Sequence, residues 1–387
     1  MKKKIFLFLL LSYALLFLSC RKDVELLLSE VTETDPGVSG AGRYEGLYLL
    51  NEGNMGSNKA TLDYLDFIRG KYHRNIYAER NPSVPKELGD VGNDLQIYGN
   101  RLYAVINASN KIEVMNAHTT ESIGRIDIPN CRHITFHEGF AYTTSYAGPI
   151  EIDPEYKQRG YVAKIDTASL EVVETCIVGY QPDGIAISNG FIYVANSGGY
   201  RGAGKASNYE RTVSVISIAT YKEIARIDVD MNLHRIKTDN NGNLWVSSRS
   251  DYNTSSSKLY FIDYNKQAVT DTINLSVNNF TIVGDSLYLI GIDESAQRKK
   301  HFSIVNTNTR RVVNSNFITD GTDNQLETPY GIAAHPETKD IYITDAGDYI
   351  NPGYLYRFNS QGRKLWSLQT GDIPAHFYFL KKKNKTY

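Results

Sequence analysis

The sequence predicts an all-β protein, a seven-bladed β-propeller with four antiparallel strands per blade. Three observations predict this fold, and the first is the stretch 181–197, QPDGIAISNGFIYVANS. In it, Asn189-Gly190 separates two apolar runs. Asn and Gly both tolerate the positive φ angles of a type I′ turn, so the stretch is typical of a β-hairpin.

The second observation is that the second strand of this hairpin recurs seven times. The copies are 47–51, 102–107, 140–145, 192–196, 244–248, 287–291 and 341–345. Each carries an aromatic residue at the same register: Tyr48, Tyr103, Tyr142, Tyr193, Trp245, Tyr288 and Tyr342. Because this aromatic residue recurs in every unit, we expect it to pack between blades rather than to bind a ligand. Most copies are followed by another strand pair, such as 161–166 and 172–177, so one unit has four strands.

The third observation concerns the two ends of the repeat region, which spans residues 44–380 with about 48 residues per blade. The region begins with a second strand and ends, at 374–379, with a first strand. We therefore expect the C-terminal strand to close the first blade and to cover strand edges that would otherwise aggregate. The predicted channel-lining first strands are 93–98, 132–136, 183–187, 234–238, 279–283, 330–334 and 375–379.

Residues 1–19 are predicted to be a lipoprotein signal peptide. Three lysines at positions 2–4 precede the apolar run 5–18, which is short for a membrane span. The run ends in Phe17-Leu18-Ser19-Cys20, which resembles a bacterial lipobox, so we expect Cys20 to be lipidated and to anchor the chain. A plain signal peptide and an N-terminal anchor helix are the alternatives. Residues 20–43 would form a flexible tether, and 381–387 a basic C-terminal tail.

Charge and cysteine content exclude some functions. Removing residues 1–19 takes away three lysines and leaves 39 basic against 43 acidic residues, a net charge of about −4. This charge argues against nucleic acid as a partner. Besides Cys20 the chain has only Cys131 and Cys176. We expect them on different blades, both buried as small hydrophobic side chains.

The long loops of the predicted ring all lie on one face. Each first strand starts there and each second strand ends there, and the connections are 51–59, 145–160, 196–211, 248–258, 291–301 and 345–352. The opposite face carries tight turns. Because binding residues are concentrated on loops above a rigid scaffold, we place the ligand site on the long-loop face, over the mouth of the channel.

The candidate ligand-binding residues are polar and aromatic side chains on these loops and at the starts of the channel strands. They are Asn51, Glu52, Asn93, Asp94, Arg132, His133, Tyr146, Asp183, Asn196, Tyr200, His234, Arg235, Arg249, Tyr252, Tyr330, Asp345, Tyr349 and His376. Tyrosine offers a large stiff surface with one polar group, and Asn and Asp offer directed hydrogen bonds. This combination suits a bulky amphipathic ligand.

Motifs for catalysis are missing from the sequence. It has no Gly-x-Ser-x-Gly elbow, no His-Glu-x-x-His, no Cys-x-x-Cys and no phosphate-binding glycine loop. His133, His234 and His376 each begin a channel strand and would meet only if three blades brought them together. We expect hydrogen-bonding histidines rather than metal ligands, and a protein without catalytic residues, metal or cofactor.

Two runs resemble known families. The run 182–187, PDGIAI, followed by 192–196, IYVAN, is similar to the YncE-like seven-bladed propellers. The opening 46–57, GLYLLNEGNMGS, resembles more narrowly the BtuG-type surface lipoproteins of Bacteroidetes. The resemblance implies capture of cobalamin (vitamin B12) or a related corrinoid, without chemical change, and delivery to a TonB-dependent transporter. It also implies a lipid-anchored, surface-exposed location at the outer membrane.

Two other functions remain open at this stage. The same face could bind another ligand, such as a glycan or a protein of the cell envelope. Alternatively, the chain could be a metal-dependent propeller lactonase or lyase, which would need a metal or an acid and base pair in the channel.

Overall fold

The structure is a computed structural model that describes residues 28–34, 42–84, 87–149, 151–153, 155, 157–202, 205–252, 255–293 and 297–383. The predicted signal peptide, Cys20 and the last four residues of the predicted basic tail lie outside these residues. Among the residues described, no helix is long and apolar enough to cross a membrane.

The strands follow one another in groups of four along the chain. The first blade has β1 (Glu30–Glu33), β2 (Tyr44–Asn51), β3 (Thr61–Asp66) and β4 (Lys71–Arg74). The second has β5 (Gly92–Tyr98), β6 (Arg101–Ile106), β7 (Lys111–Asn116) and β8 (Ser122–Asp127). The third has β9 (Cys131–His137), β10 (Phe140–Ser145), β11 (Tyr161–Asp166) and β12 (Val172–Ile177). The fourth has β13 (Pro182–Ser188), β14 (Phe191–Asn196), β15 (Thr212–Ser217) and β16 (Lys222–Asp228).

The remaining three blades continue the same order. The fifth has β17 (Leu233–Thr238), β18 (Leu244–Ser248), β19 (Lys258–Asp263) and β20 (Ala268–Ile273). The sixth has β21 (Asn279–Val283), β22 (Ser286–Asp293), β23 (Lys299–Asn306) and β24 (Arg311–Asn314). The seventh has β25 (Pro329–Ala334), β26 (Ile341–Asp345), β27 (Pro352–Phe358) and β28 (Lys364–Asp372), and β29 (Pro374–Lys381) follows it. Short helices occupy α1 (Ile76–Arg80), α2 (Gly199–Gly202) and the 3₁₀ segments Ala206–Asn208 and Thr322–Asn324.

The ring closes as the sequence predicted. Six of the sheets are antiparallel with their four strands in sequential order, whereas the first has the order β1-β4-β3-β2-β29. In that sheet β29 pairs with β2 from Tyr44↔Lys381 to Asn51↔Pro374. The C-terminal strand therefore supplies the innermost strand of the first blade. The seven predicted channel strands agree with β5, β9, β13, β17, β21, β25 and β29, and each of these contacts its two neighbours around the ring.

Three details differ from the expectations. Part of the predicted tether is paired, because β1 adds a fifth strand to the outer edge of the first blade, from Glu30↔Arg74 to Glu33↔Lys71. The predicted loop 291–301 is largely strand, since β22 and β23 stay paired out to Asp293↔Lys299. Cys131 and Cys176 are buried and free as expected, but they lie on β9 and β12 of the same blade.

The core consists of seven apolar clusters, one between each pair of neighbouring blades. The recurring aromatic residue of the second strand supplies one member to every cluster, so its predicted packing role is confirmed. These are Tyr48, Tyr103, Tyr142, Tyr193, Trp245, Tyr288 and Tyr342. The hairpin between β13 and β14 has its predicted turn, with φ of 49° at Asn189 and 81° at Gly190.

The pairing of first and second strands is irregular at one end. In six blades the register shifts near the start of the first strand, whereas β21 and β22 pair without a shift. Such β-bulges set two residues of one strand opposite one residue of its partner and redirect side chains. Two consecutive residues of one strand can therefore line the channel at this end.

Side-chain hydroxyl groups accept the backbone N–H groups that these bulges leave out of the ladder. Thr144 accepts from the N–H of His133 at 3.1 Å, and Ser247 from that of Arg235 at 3.1 Å. Thr144 also donates to the backbone oxygen of Asp183 at 2.7 Å, which joins the third blade to the fourth. The bulge of the fourth blade needs Gly184, because a Cβ there would lie 2.4 Å from the backbone oxygen of His234.

Candidate functional site

The mouth of the channel holds a cavity of about 180 Å³ on the long-loop face. Ten of the predicted ligand-binding residues line it: Glu52, Asn93, Arg132, His133, Tyr200, His234, Arg235, Arg249, Tyr330 and His376. They come from the starts of the bulged inner strands and from the loops above them. The three histidines do meet, since the ring centre of His133 lies 6.4 Å from that of His234 and 6.4 Å from that of His376.

A second cavity of about 260 Å³ adjoins the first and extends toward the sixth blade. The two cavities share four lining residues, and we call them together the basin. The shared residues are His234, Arg235, Arg249 and Tyr330. The second cavity adds Tyr252 from the predicted set and a group of hydroxyl and amide side chains, Ser250, Ser255, Ser256, Ser257, Ser276 and Asn278.

Asp183 forms the centre of the charge network beneath the basin. Its side chain is fully buried, with Arg249 Nη1 3.1 Å from one oxygen and Arg132 Nε 3.5 Å from the other. Burial alone would raise the pKa of Asp183, but the two guanidinium groups outweigh burial and hold that pKa well below its usual value. Asp183 is therefore a permanent negative charge that fixes two arginines at the mouth.

His133 lies between two carboxylates. Its Nε2 is 3.2 Å from Asp183 and its Nδ1 is 3.5 Å from Asp94. Burial alone would lower the pKa of His133, but the two carboxylates outweigh burial and raise it. Asp94 also accepts the backbone N–H of Ile134 at 3.0 Å. It lines a further cavity along the channel together with His133 and Arg235.

Glu52 forms a second buried group with two predicted residues. It accepts a hydrogen bond from the Tyr330 hydroxyl at 2.8 Å, and its other oxygen lies 3.0 Å from Nε2 of His376. Burial would raise the pKa of Glu52, but His376 and Tyr330 lower it, so the carboxylate is charged. Burial lowers the pKa of His376, so a neutral imidazole donates to that carboxylate. Burial and two nearby arginines likewise lower the pKa of His234 well below its usual value.

Aromatic rings support the mouth from the loops. Tyr146 is buried, with the guanidinium of Arg132 4.8 Å from its ring centre and Tyr200 edge-on at 5.9 Å. Tyr349 packs edge-on against Tyr330 at 5.8 Å. Asn93 fixes the third blade to the second by donating from Nδ2 to the backbone oxygen of Arg132 at 2.8 Å.

Seven predicted ligand-binding residues line neither cavity of the basin. Asp94, Tyr146, Asp183 and Tyr349 contact residues that do line it, whereas Asn51, Asn196 and Asp345 serve the framework of their own blades. Asn51 is buried in the first blade, where Nδ2 donates to Asp63 at 2.8 Å. Asn196 is buried in the fourth blade and donates to Ser214 at 2.9 Å. Asp345 accepts the backbone N–H of Thr328 at 2.7 Å. All three end a second strand, and their polar atoms hold their own blade together, which the residue types alone did not reveal.

Some basin residues escaped the sequence-based prediction. Met55, Val91 and Asn107 line the first cavity, and the serines of the second cavity lie on loops whose paths the sequence does not specify. Asn107 ends the predicted second strand 102–107 on the long-loop face, so its position was a usable signal. The residue types of Met55 and Val91 do not mark them as binding residues.

His133, Asp183 and His234 also form a cluster of possible metal ligands, with one ligand atom from each lying within 4.8 Å of the others. The carboxylate of this cluster already lies between the guanidinium groups of Arg132 and Arg249. Two fixed positive charges at these distances repel a dication. The arrangement is therefore better suited to an anion than to a metal ion.

The chain belongs to the family described as domain of unknown function DUF5074, whose model matches residues 45–381. No curated protein matches it significantly. Among solved structures, it is similar to a quinonprotein alcohol dehydrogenase-like protein from Bacteroides thetaiotaomicron VPI-5482, with 12% identity, a TM-score of 0.59, and coverage of 87% of this chain and 78% of that one.

Two further structures share the fold. Hydrazine synthase from Kuenenia stuttgartiensis is 15% identical with a TM-score of 0.54, over 70% of this chain and 76% of that one. The computationally designed protein Ika8 is 9% identical with a TM-score of 0.50, over 87% of this chain and 90% of that one. At these identities the similarity establishes the propeller fold alone.

Proposed function

We propose that this DUF5074 propeller binds cobalamin or a related corrinoid across the basin without changing it chemically. One observation carries the proposal: a charged, preformed floor is surrounded by exposed apolar and aromatic side chains. Met55, Tyr252 and Tyr349 are 58%, 65% and 43% exposed. Met55 and Tyr252 line the two cavities, and Tyr349 packs on Tyr330, which lines both. Large exposed apolar groups around a cleft are typical of binding sites.

The sizes of the two cavities support a ligand that lies partly outside them. At about 180 and 260 Å³, neither holds a corrinoid, which is larger than the drug-sized ligands that fill common pockets. We place the macrocycle across the exposed rim, against Met55, Tyr252 and Tyr349. One polar substituent of the ligand would then enter the basin. The amide groups around a corrin ring suit the hydroxyl and amide side chains of the second cavity.

The rigidity of the scaffold supports tight binding without chemistry. The ring is closed by β29, and the ends of the second strands are tied down by buried hydrogen bonds such as Asn51–Asp63 and Asn196–Ser214. A preformed site loses little conformational entropy when the ligand binds. The resemblance of 46–57 to BtuG-type lipoproteins is the argument for a corrinoid in particular.

The location and the partner form part of the same proposal. Lipidation at Cys20 would hold the propeller at the outer membrane, with the basin free to receive a ligand and pass it to a TonB-dependent transporter. The support for this step is the lipobox-like sequence 17–20 and the same family resemblance. Radioactive palmitate should label the wild-type chain and not Cys20→Ala when each is expressed in a bacterium that processes lipoproteins.

The binding proposal is tested by titrating the purified protein with cyanocobalamin. We expect heat release and a shifted corrin absorption spectrum at micromolar protein, with one ligand per chain. Tyr252→Ala should weaken binding at least tenfold because it removes exposed contact surface from the rim. Leu365→Ala is the matched control, since Leu365 is 46% exposed on β28, an outer strand. Absence of heat and of any spectral change would overturn the proposal.

A further inference from the structure

Arg235 is the one arginine lining the basin that has no acidic partner in the described part of the chain. Arg132 and Arg249 both pair with Asp183, whereas no ion pair joins Arg235 to a carboxylate there. Its Nε is shielded from solvent and has no hydrogen-bond partner among those residues. Arg235 is half-buried, so its guanidinium reaches the basin while its Nε meets neither solvent nor an acceptor on a described residue. A shielded donor without an acceptor is unfavourable.

The nearby carboxylates are already engaged. Glu52 accepts from Tyr330 and His376, and Asp183 lies between the other two arginines. At the mouth, three guanidinium groups face the carboxylates of Glu52, Asp94 and Asp183. Protonation of His133 adds a further positive charge. Asp293 of the larger cavity is a fourth carboxylate, and it accepts from Ser256 Oγ at 3.3 Å. The charges around the basin therefore balance when His133 is protonated, and what sets Arg235 apart is that it lacks a direct acidic partner among the described residues.

The space beside Arg235 has the size and the donors for a small anionic group. Arg235 lines both cavities of the basin, so it lies where they meet. The polar lining of the larger cavity includes five serines, Asn278 and one carboxylate, Asp293. Ser276 Oγ is buried there without a hydrogen-bond partner among the described residues. A guanidinium and hydroxyl groups together provide the donors that phosphate and carboxylate oxygens accept.

We infer that Arg235 is the centre of an oxyanion-binding site that takes one phosphate or carboxylate group of the ligand. The site rests on the proposed function, because it names the substituent that enters the basin while the rest of the ligand lies on the rim. The planar guanidinium fork binds two oxygens of such a group. Cobalamin offers a phosphodiester with one negative charge in its nucleotide loop, and a different ligand would offer a carboxylate.

The site itself is tested with small anions. Dimethyl phosphate and acetate are titrated separately into the purified protein at constant ionic strength, and the thermal unfolding midpoint is followed. We expect at least one anion to raise the midpoint of the wild type by several degrees and that of Arg235→Gln by none. The control is Lys237→Gln, which removes a charge two residues along the same strand and should respond like the wild type. No shift in the wild type, or an equal shift in Arg235→Gln, would overturn the inference.

Stability controls separate binding from folding. Because Arg235→Gln removes a charge that has no partner, its midpoint without anion should equal or exceed that of the wild type. Arg235→Lys keeps the charge but loses the planar fork, so it should bind the effective anion at least tenfold more weakly than the wild type does. Equal affinity in Arg235→Lys would overturn the inference even if Arg235→Gln did not fold.

The chemical source of the oxyanion is distinguished with two corrinoids. Cobinamide lacks the nucleotide loop and its phosphodiester, whereas cyanocobalamin has both. If the phosphodiester enters the basin, the wild type should prefer cyanocobalamin at least tenfold and Arg235→Gln should bind the two equally. Equal binding by the wild type would overturn the phosphodiester as the source. Failure of cyanocobalamin to bind at all would overturn the proposed function alone, because dimethyl phosphate and acetate still report on Arg235.

Discussion

The two ends of the channel are built from the same seven strands but differ in almost every respect. At the mouth the strands are bulged and carry buried, paired charges such as Arg132, His133 and Asp183. Toward the opposite end the ladders of the second, third and fifth blades are regular down to their turns. A cavity of about 390 Å³ runs along the channel from Asp94, His133 and Arg235 to side chains such as Gln96, Thr135 and Lys237. Among the described residues, the ion pairs that join one channel strand to another lie at the mouth.

The bulges bring the charged side chains of the mouth together. In a regular strand successive side chains point to opposite faces, so only every second residue would face the channel. At the mouth, Arg132 and His133 both approach Asp183, and His234 and Arg235 both line the basin. The sixth blade has no bulge and contributes no inner-strand residue to the smaller cavity. The bulged fourth blade contributes none to its lining either, but it places Asp183 beneath the arginines that line it.

The largest expected effect comes from removing the central charge of the mouth. Asp183→Asn leaves the guanidinium groups of Arg132 and Arg249 without their carboxylate, so we expect a loss of about 3–5 kcal/mol in the free energy of unfolding. Urea denaturation followed by circular dichroism measures it. Lys237→Gln is the control at the other end. It removes a charge that burial disfavours, so it should not lower the free energy of unfolding. Similar losses in the two variants would remove the distinction between the two ends.

A smaller effect should follow from removing a hydroxyl that supports a bulge. Thr144→Val keeps the shape of the side chain but leaves the buried N–H of His133 and the backbone oxygen of Asp183 without their partner. We expect a loss of about 1–3 kcal/mol by urea denaturation. Thr135→Val, on the paired strand β9 and toward the opposite end of the channel, is the matched control and should be nearly neutral. A loss in Thr135→Val as large as that in Thr144→Val would show that the bulge needs no special support.

The sequence predicted the ring well because its signals repeat. Turn residues, the aromatic register and the order of the terminal strands identify all seven channel strands and the closure by β29. The sequence predicted the residues of the candidate site less well. Asn51, Asn196 and Asp345 resemble binding residues in type but serve their own blades, and Cys131 and Cys176 share one blade. Which polar residues turn inward depends on bulges and loop paths, and these follow from packing between blades rather than from local pattern.

The smallest expected effect is a dependence of stability on pH that has opposite signs at the two ends. His133 is enclosed by Asp94, Asp183, Arg132, His234 and His376, and its pKa in the folded protein is raised. The stabilisation that protonated His133 gives the folded protein is therefore complete below about pH 6.5, its pKa in the unfolded chain. It is lost as the pH rises through the higher pKa of His133 in the folded protein.

At the other end, desolvation inside the channel and the charge of Arg235 lower the pKa of Lys237 to about 8. Between about pH 8 and 10.4 the unfolded chain binds more protons than the folded one at this residue, so its contribution to stability grows with pH. Between about pH 6.5 and 8, the change of stability with pH is set by His133 at the mouth. There the free energy of unfolding of the wild type, measured with urea, should fall with rising pH while that of His133→Gln should not. Lys237→Gln should retain the fall, and parallel curves for the wild type and His133→Gln would contradict the assignment of this titration to the mouth.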